Sequence, residues 1–115
     1  MDCLFCRIVG SELPSNKYYE DGNLLAIENI NPEAPFHALI MPKKHLELPK
    51  IEKEDLKILG ELLSIAPIIA EKENLTGGYR LIINIGEDSN RDFDHLHIHL
   101  VGGKNLGAIL PDSPK

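Results

Sequence analysis

The segment DHLHIHLVGG, at residues 94–103, decides the fold of this chain. Side chains of a β-strand alternate between its two faces, and we predict a strand over residues 94–101. One face carries three of the five histidines, about 7 Å apart in order: His95, His97 and His99. The other face carries apolar residues that we expect to pack against a helix: Leu96, Ile98 and Leu100. Neighbouring imidazoles repel one another once protonated, so a purely structural strand gains nothing from them, and we expect a functional site.

Two kinds of chemistry use such a histidine face. In the first, an H-x-H pair on a strand supplies two zinc ligands. In the second, one imidazole nitrogen attacks phosphorus while its neighbours donate to the oxygens or to the leaving group. The alternation of residues does not decide between these two chemistries.

Composition restricts the classes of partner. The chain has 115 residues, 43% of them hydrophobic and 26% charged, which predicts one soluble domain over residues 1–115. A formal net charge of −6 argues against bulk binding to nucleic acid or to an anionic membrane. The N-terminal apolar run is too short for a signal peptide, and no segment approaches a membrane span. We therefore expect a cytoplasmic protein.

Hydrophobic periodicity predicts the remaining elements. A short helix is expected over residues 2–9, with Asp2 as its cap and Gly10 as its stop. Strands are expected at residues 18–20 and 24–27 around an Asp21-Gly22-Asn23 turn, and then at residues 37–41 and 80–85. An apolar stripe predicts a long helix over residues 52–75 that is kinked by Pro67. These elements indicate an α+β fold with a five-stranded, mainly antiparallel sheet, one long helix and one short helix.

Cys3 and Cys6 are the only cysteines, in a C-x₂-C spacing. In a cytosolic chain this pair indicates half a zinc site or a redox pair before it indicates a disulfide. The alternative is two small apolar residues on an N-terminal turn. A thioredoxin-like role is disfavoured because no strand precedes the pair.

Together the motifs resemble those of the histidine triad (HIT) family, and more closely its Hint branch, whose members cleave nucleoside phosphoramidates. The resemblance covers nearly the whole chain: C-L-F-C-R-I at 3–8, Tyr19-Glu20-Asp21, Asn31-Pro32, A-P-F-H at 34–37, P-K-K-H at 42–45, G-Y-R at 78–80, Asn84, and H-L-H-I-H-L-V-G-G at 95–103. The trailing Gly102-Gly103 favours this branch over the one that cleaves dinucleotides.

The resemblance implies a role for each histidine of the site. His97 matches the nucleophile that forms a covalent nucleotidyl-imidazole intermediate, and His99 matches the donor to a phosphate oxygen. His95 and His37 match residues that complete the cluster and orient the nucleophile. Asn84 matches a polar residue beside the phosphate. Without the resemblance, His37 would as readily be a hydrogen-bonded core histidine.

The resemblance also implies a purine nucleotide pocket, in which apolar residues sandwich the base: Phe5, Ile8, Leu13 and Ile27. Without the resemblance, these four residues would be assigned to the core. The chain departs from the family where an acidic residue normally accepts from the ribose hydroxyls, because Asn29 stands there, followed by Ile30. An amide has one acceptor oxygen and a donating end, so we expect weaker or altered ribose recognition.

A second departure lies in the loop before the triad, where the family supplies donors to the phosphate. This chain has Asn90, Arg91 and Asp92 at those positions. An ionised Asp92 cannot donate and would repel the phosphate, unless Arg91 compensates or the loop turns the carboxylate outward.

The resemblance further implies a structural zinc held by four residues: Cys3, Cys6, His45 and His95. Two thiolates and two imidazoles form a closed tetrahedral set with no open catalytic position. We expect it to hold the short helix against the sheet, so that metal loss loosens the fold more than it changes the chemistry. Without the resemblance, His45 beside Lys43 and Lys44 would be a surface histidine.

The leading hypothesis is a homodimeric hydrolase acting on purine nucleotides with a phosphorus–nitrogen or similar bond, without an organic cofactor. The family implies the dimer, in which the sheets of two subunits join and each C-terminus reaches the partner's site. The rival hypothesis is a nucleotide-binding module with little or no activity, motivated by Asn29 and the altered loop. A third is a zinc hydrolase that uses the triad as ligands.

Overall fold

The computed structural model describes residues 3–90 and 93–110. Five strands form one sheet: β1 (Lys17–Glu20), β2 (Leu24–Glu28), β3 (Phe36–Pro42), β4 (Tyr79–Ile82) and β5 (Ile98–Gly102). Two α-helices accompany them: α1 (Leu4–Val9) and α2 (Leu56–Lys72). Short 3₁₀ turns occupy three further segments: Leu48–Lys50, Lys53–Asp55 and Glu87–Ser89. The predicted α+β fold, with one long helix, one short helix and a five-stranded sheet, is confirmed.

The strand order is β1-β2-β3-β5-β4, and every neighbouring pair is antiparallel. The turn predicted at Asp21 joins β1 to β2, and the Asp21 carboxylate accepts from the backbone N–H groups of Asn23 and Leu24. In the centre of the sheet, β3 lies against β5 with Leu39 opposite His99 and His37 opposite Val101. Because alternate residues share a face, His37 and His99 point to the same side of the sheet.

Each face of the sheet carries its own apolar cluster. On one face, α2 packs on the sheet through residues of helical spacing: Leu62, Ile65, Ala66 and Ile69. The residues of the histidine strand that the alternation assigned to this face are buried there: Leu96, Ile98 and Leu100. On the other face, Phe5 of α1 packs with Ile27 and Met41. The histidines therefore lie on the face of the sheet that α1 covers.

The two helices start and stop for local reasons. The Cys3 sulfur caps α1 by accepting from the N–H of Cys6, and Gly10 follows the helix as predicted. The predicted cap, Asp2, lies outside the described residues. Helix α2 is shorter than the predicted 52–75, because the residues before it form a 3₁₀ turn. It continues through Pro67.

Two strands are shorter than predicted. Strand β4 ends at Ile82 rather than at residue 85, and β5 begins at Ile98 rather than at residue 94. The ladder stops because β3 ends at Pro42, which has no N–H to donate. Before β5, the N–H of Leu96 donates instead to the carbonyl of Leu46, in the loop after β3. His95 and His97 therefore precede the strand on which they were predicted to lie.

Among the residues that the structure describes, no helix combines the length and apolarity that crossing a bilayer requires.

Candidate functional site

His37 and His99 form a hydrogen-bonded pair across β3 and β5. The Nε2 of His37 lies 2.8 Å from the Nδ1 of His99, and the backbone N–H of Glu33 donates to the Nδ1 of His37 over 3.0 Å. A neutral imidazole has one donor and one acceptor nitrogen. His37, which accepts at Nδ1, therefore donates from Nε2 to His99. His99, which accepts at Nδ1, in turn carries its own proton on Nε2.

The protonation of His37 agrees with this arrangement. Burial lowers the pKa of His37 below its usual value, while the nearby Glu33 carboxylate acts in the opposite direction. The side chain is almost fully buried. His37 is therefore neutral at neutral pH, which its place between one donor and one acceptor requires.

His97 has the geometry of a nucleophile. Its Nδ1 donates to the backbone carbonyl of His95 over 2.8 Å, which leaves the Nε2 lone pair available. The His97 ring centroid lies 4.9 Å from that of Phe5 and 5.2 Å from that of His99. Neighbours on both α1 and β5 thus restrict the orientation of the imidazole.

The ring of His95 faces a different site. Its Nε2 donates to the carbonyl of Pro42 over 2.8 Å, so its unprotonated Nδ1 points to the thiols of Cys3 and Cys6, 3.5 and 3.6 Å away. Of the three histidines expected to share one strand face, His95 thus directs its ring to the cysteines. His37, from another strand, is the ring that partners His99, whereas His95 contacts the nucleophile through its main-chain carbonyl.

Cys3, Cys6, His45 and His95 together form a cluster that could hold a metal ion, with ligand atoms all within 4.8 Å of one another. The Nδ1 of His45 lies 3.4 Å from the Cys6 sulfur. Its Nε2 lies 3.4 Å from a carboxylate oxygen of Glu47. Both histidines therefore present Nδ1 to the cluster while an oxygen holds the opposite nitrogen, as in known zinc sites.

The dimensions of the cluster and its electrostatics fit a metal. Ligands of tetrahedral zinc, bonded at about 2.0–2.3 Å, lie about 3.3–3.8 Å from one another. The Cys6 sulfur lies 3.4 Å from the Nδ1 of His45 and 3.6 Å from the Nδ1 of His95, within that range. Burial raises the pKa of the Cys6 thiol, as does the neighbouring Cys3, and a bound cation would reverse that effect.

Two cavities meet near the histidines, and Asn84 lines both. The first, of about 300 Å³, is bounded by His97 and Phe93 among others. The second, of about 230 Å³, is bounded by His37 and His99. Asn84 therefore borders both the cavity of the candidate nucleophile and the cavity of the histidine pair.

Comparison with known proteins agrees with this geometry. Residues 2–109 match the family model described as "Scavenger mRNA decapping enzyme C-term binding". The chain is 42% identical over 106 residues to a maize "14 kDa zinc-binding protein", an alignment that covers 90% of this chain and 83% of the relative. A solved "HIT family hydrolase" from Clostridium thermocellum is 43% identical with a TM-score of 0.91, covering 95% of this chain and 97% of that one. The chain belongs to the histidine triad family.

A further relative bears on the branch of the histidine triad family. The chain is 37% identical over 106 residues to "Adenylylsulfatase HINT1" of Arabidopsis thaliana, an alignment that covers 90% of this chain and 72% of the relative. The family assignment inferred from the motifs is thus confirmed. The histidine triad hydrolases among its relatives support a hydrolase role in general.

The base-binding residues predicted for this histidine triad protein are only partly brought together. Phe5 and Ile27 are buried in one cluster, against which Ile8 packs. Leu13 is half-buried. Ile30, which was predicted beside Asn29 at the ribose rather than at the base, is 84% exposed in the single chain.

Of the two departures from the histidine triad pattern, the structure describes Asn29 and only the first residue of the altered loop, Asn90. The Asn29 Oδ1 accepts from the N–H of Asn31 over 2.9 Å, and its Nδ2 lies 3.3 Å from the Nε2 of His37. Because that imidazole nitrogen already donates to His99, the Asn29 amide is a donor without an acceptor in this pair. Arg91 and Asp92 lie outside the described residues, and Asn90, before them, has a left-handed backbone with φ of 60°.

Sequence reasoning missed several residues that line the site. Glu47 holds a cluster histidine, and its position two residues after His45 is the only sequence signal that could have indicated it. Phe93 lies edge-to-face against Phe5, with centroids 5.1 Å apart. Arg80, which belongs to the G-Y-R motif but was given no role in the site, lines the cavity of His99 together with Leu106.

Proposed function

We propose that this protein cleaves purine nucleoside phosphoramidates of the AMP–amine type through a covalent nucleotidyl-histidine intermediate on His97. The observation that carries the proposal is the hydrogen bond from His97 Nδ1 to the His95 carbonyl, which directs the lone pair of Nε2 away from the backbone. The relatives named as hydrolases support the same class of reaction.

The reaction proceeds in two displacements at phosphorus. The His97 Nε2 attacks the phosphorus atom, the bond from phosphorus to the amine breaks, and the amine leaves with a proton taken from the solvent. Water then attacks the phosphorus of the intermediate, the bond from phosphorus to Nε2 breaks, AMP leaves, and the proton lost by the water returns to the solvent. The Nε2–H of His99 donates to the phosphate oxygens as negative charge develops, and His37 keeps that proton on the correct nitrogen.

Roles for the other residues are proposed from the family resemblance and, for Asn84, also from the cavities that it lines. Asn84, which borders both cavities, is proposed as a polar contact of the phosphate. The base is proposed to lie beside α1, against the apolar residues predicted for it: Phe5, Ile8, Leu13 and Ile27. Asn29 and Ile30 are proposed at the ribose, and Asp92 at the phosphate loop.

The cluster of two cysteines and two histidines is proposed to hold a structural zinc. Four protein ligands leave no open position, so the ion would supply cross-linking rather than chemistry. Cys3 and Cys6 flank the start of α1, His45 follows β3, and His95 precedes β5. The four ligands would thus connect the short helix to the sheet.

A homodimer is also proposed. Strand β4 is at one end of the strand order, so its outer side has no partner within the described sheet. Unpaired strand edges are templates for pairing with another chain. Light scattering on the purified protein tests the assembly, and a mass of one chain, 12.8 kDa, at assay concentration would contradict it.

We further propose action in the cytoplasm on small nucleotides, without an organic cofactor, nucleic acid or membrane partner.

The decisive experiment incubates the protein with adenosine 5′-phosphoramidate and follows amine release. We expect turnover in the wild type and its loss in His97→Ala. Trapping the reaction in acid-free denaturant should yield a chain heavier by one adenylyl group, absent from His97→Ala. Turnover that survives in His97→Ala would contradict the proposed nucleophile.

The second candidate function is a nucleotide-binding module without turnover, which the Asn29 amide favours. Calorimetry with AMP separates the two functions, since binding without amine release supports the module. The zinc hydrolase is disfavoured, because the described metal cluster includes only His95 of the triad.

A further inference from the structure

Arg80 of β4 clamps the chain that follows β5. Its guanidinium donates to two consecutive carbonyls, that of Gly107 over 2.7 Å and that of Ala108 over 3.3 Å. The N–H of Gly107 donates to the Asn105 side chain over 2.8 Å. Gly107 has a φ of +78°, a left-handed backbone that favours glycine. Hydrogen bonds and backbone geometry together therefore define one path for residues 105–108.

This clamped segment forms a wall of the candidate site. Arg80 and Leu106 both line the cavity of about 230 Å³ that contains His37 and His99. The same two residues also line a larger groove of about 580 Å³ on the side of Tyr79 and Asn105. Residues shared by two adjoining cavities form the partition between them. Leu106 thus separates the histidine pair from the open groove.

The position of the partition indicates which part of a ligand it meets. Helix α1 packs on residues of β2 and β3, and the strand order then continues through β5 to β4. A base beside α1 directs the sugar and phosphate toward His97. The substituent on the far side of phosphorus then extends along His99 toward Arg80. That substituent is the leaving group of the proposed reaction.

We propose that Arg80 is a positioning residue that limits the size of the leaving group by holding Leu106 in place. This inference deepens the proposed function and depends on it for the orientation of the ligand. An enclosed apolar cavity of about 150 Å³ holds a benzene ring. The cavity beside His99 is about 230 Å³ and must also admit phosphate oxygens. A small amine fits there, whereas an aromatic one presses against Leu106.

The test measures binding, so that it does not depend on turnover. Calorimetry gives the dissociation constants of AMP and of its benzyl phosphodiester, which lacks a phosphorus–nitrogen bond, and the ratio of the two constants is the readout. Arg80→Gln should change that ratio about tenfold in favour of the benzyl ligand, within the usual range for one pocket contact. Arg80→Lys retains the charge but not the two-pronged geometry, so the ratio should shift while the affinity for AMP stays near that of the wild type.

Gly107→Ala supplies an independent perturbation, since its added Cβ meets no atom within 4 Å and strains only the backbone. It should shift the ratio in the same direction and accelerate trypsin cleavage after Lys104. Gly22→Ala is the matched control, because its Cβ also meets nothing and its φ is not positive. If Arg80→Gln misfolds, Gly107→Ala carries the test.

The outcomes separate the two proposals. Equal weakening of both ligands in Arg80→Gln and Gly107→Ala would indicate a merely structural role and overturn the inference, as would an unchanged ratio. A shifted ratio in a protein that releases no amine would uphold the partition while rejecting the hydrolase. Amine release with an unchanged ratio would uphold the hydrolase and reject the role of Arg80 and Leu106 as a partition.

Discussion

His37 lies on β3 with its Nε2 2.8 Å from the Nδ1 of His99 on β5, and this pair sets which nitrogen of His99 carries the proton. Glutamine can place a donating amide near the Nε2 position, whereas asparagine is too short. We expect His37→Asn to lower kcat about 10- to 100-fold, because the hydrogen bond from the Nε2–H of His99 to the charged phosphate would no longer be fixed, and His37→Gln to lose less. Steady-state kinetics with adenosine 5′-phosphoramidate measure both. Equal losses in the two variants would contradict the role of His37 in fixing the proton of His99 on Nε2.

The same histidine should make stability depend on pH. Burial lowers the pKa of His37 in the folded protein below the ordinary value of about 6.5 that applies in the unfolded chain. The unfolded state therefore binds the proton first. The contribution of neutral His37 to the free energy of unfolding is complete above about pH 6.5 and is lost as the pH falls toward the pKa of His37 in the folded protein. Thermal unfolding from pH 8 to 5, with zinc in excess, should show a shallower decline in His37→Gln than in the wild type. Parallel curves would refute this.

Metal removal should affect both the fold and the chemistry. Chelation should release α1, seen as faster hydrogen exchange in residues 4–9 and a lower unfolding temperature. It should also slow amine release about 10- to 100-fold, a typical effect of lost outer-shell support, because the His95 carbonyl orients His97. Glu47→Gln should weaken zinc retention against a chelator without removing a ligand. A chelated protein with unchanged exchange and no turnover would instead favour zinc chemistry.

Replacing Asn29 with aspartate should restore an acceptor at the proposed ribose site. We expect Asn29→Asp to increase the preference for AMP over its 2′,3′-dideoxy analogue about 10-fold or more, since hydrogen bonds to charged groups are the stronger ones. Asn31→Asp adds the same charge two residues away and serves as the control. Calorimetry with both nucleotides provides the comparison. An equal change in both variants would indicate a general electrostatic effect.

Two glycines should respond oppositely to alanine. A Cβ at Gly103, where φ is +96°, would lie 2.9 Å from the Pro35 Cβ, so Gly103→Ala should cost about 1–3 kcal/mol of unfolding free energy. A Cβ at Gly60 in α2 would meet nothing within 4 Å, and Gly60→Ala should stabilise by about 0.5–1 kcal/mol. Urea unfolding of both variants measures the difference. Destabilisation by Gly60→Ala would be the contrary result.

The helices, the Asp21 turn and the packed face of the histidine segment could be predicted because they follow from local pattern. The ends of β4 and β5 could not, since they depend on where Pro42 and the Leu46 carbonyl stand in space. The proton position on His99 was equally beyond the sequence, because it depends on the Glu33 N–H. Residue types suggested that His95 belonged to both the triad and the cysteine cluster. Only the structure shows that the His95 ring faces the cysteines while its backbone carbonyl accepts from His97.

Cys3 and His95 are neighbours in space although 92 positions separate them in the chain. During synthesis, the two cysteines are made first, and β1, β2, β3, α2 and β4 are all made before His95. Binding of the proposed zinc by all four residues would therefore require the chain to be made at least as far as His95. A chain that ended before His95 would carry both cysteines and His45 but would lack the fourth proposed ligand.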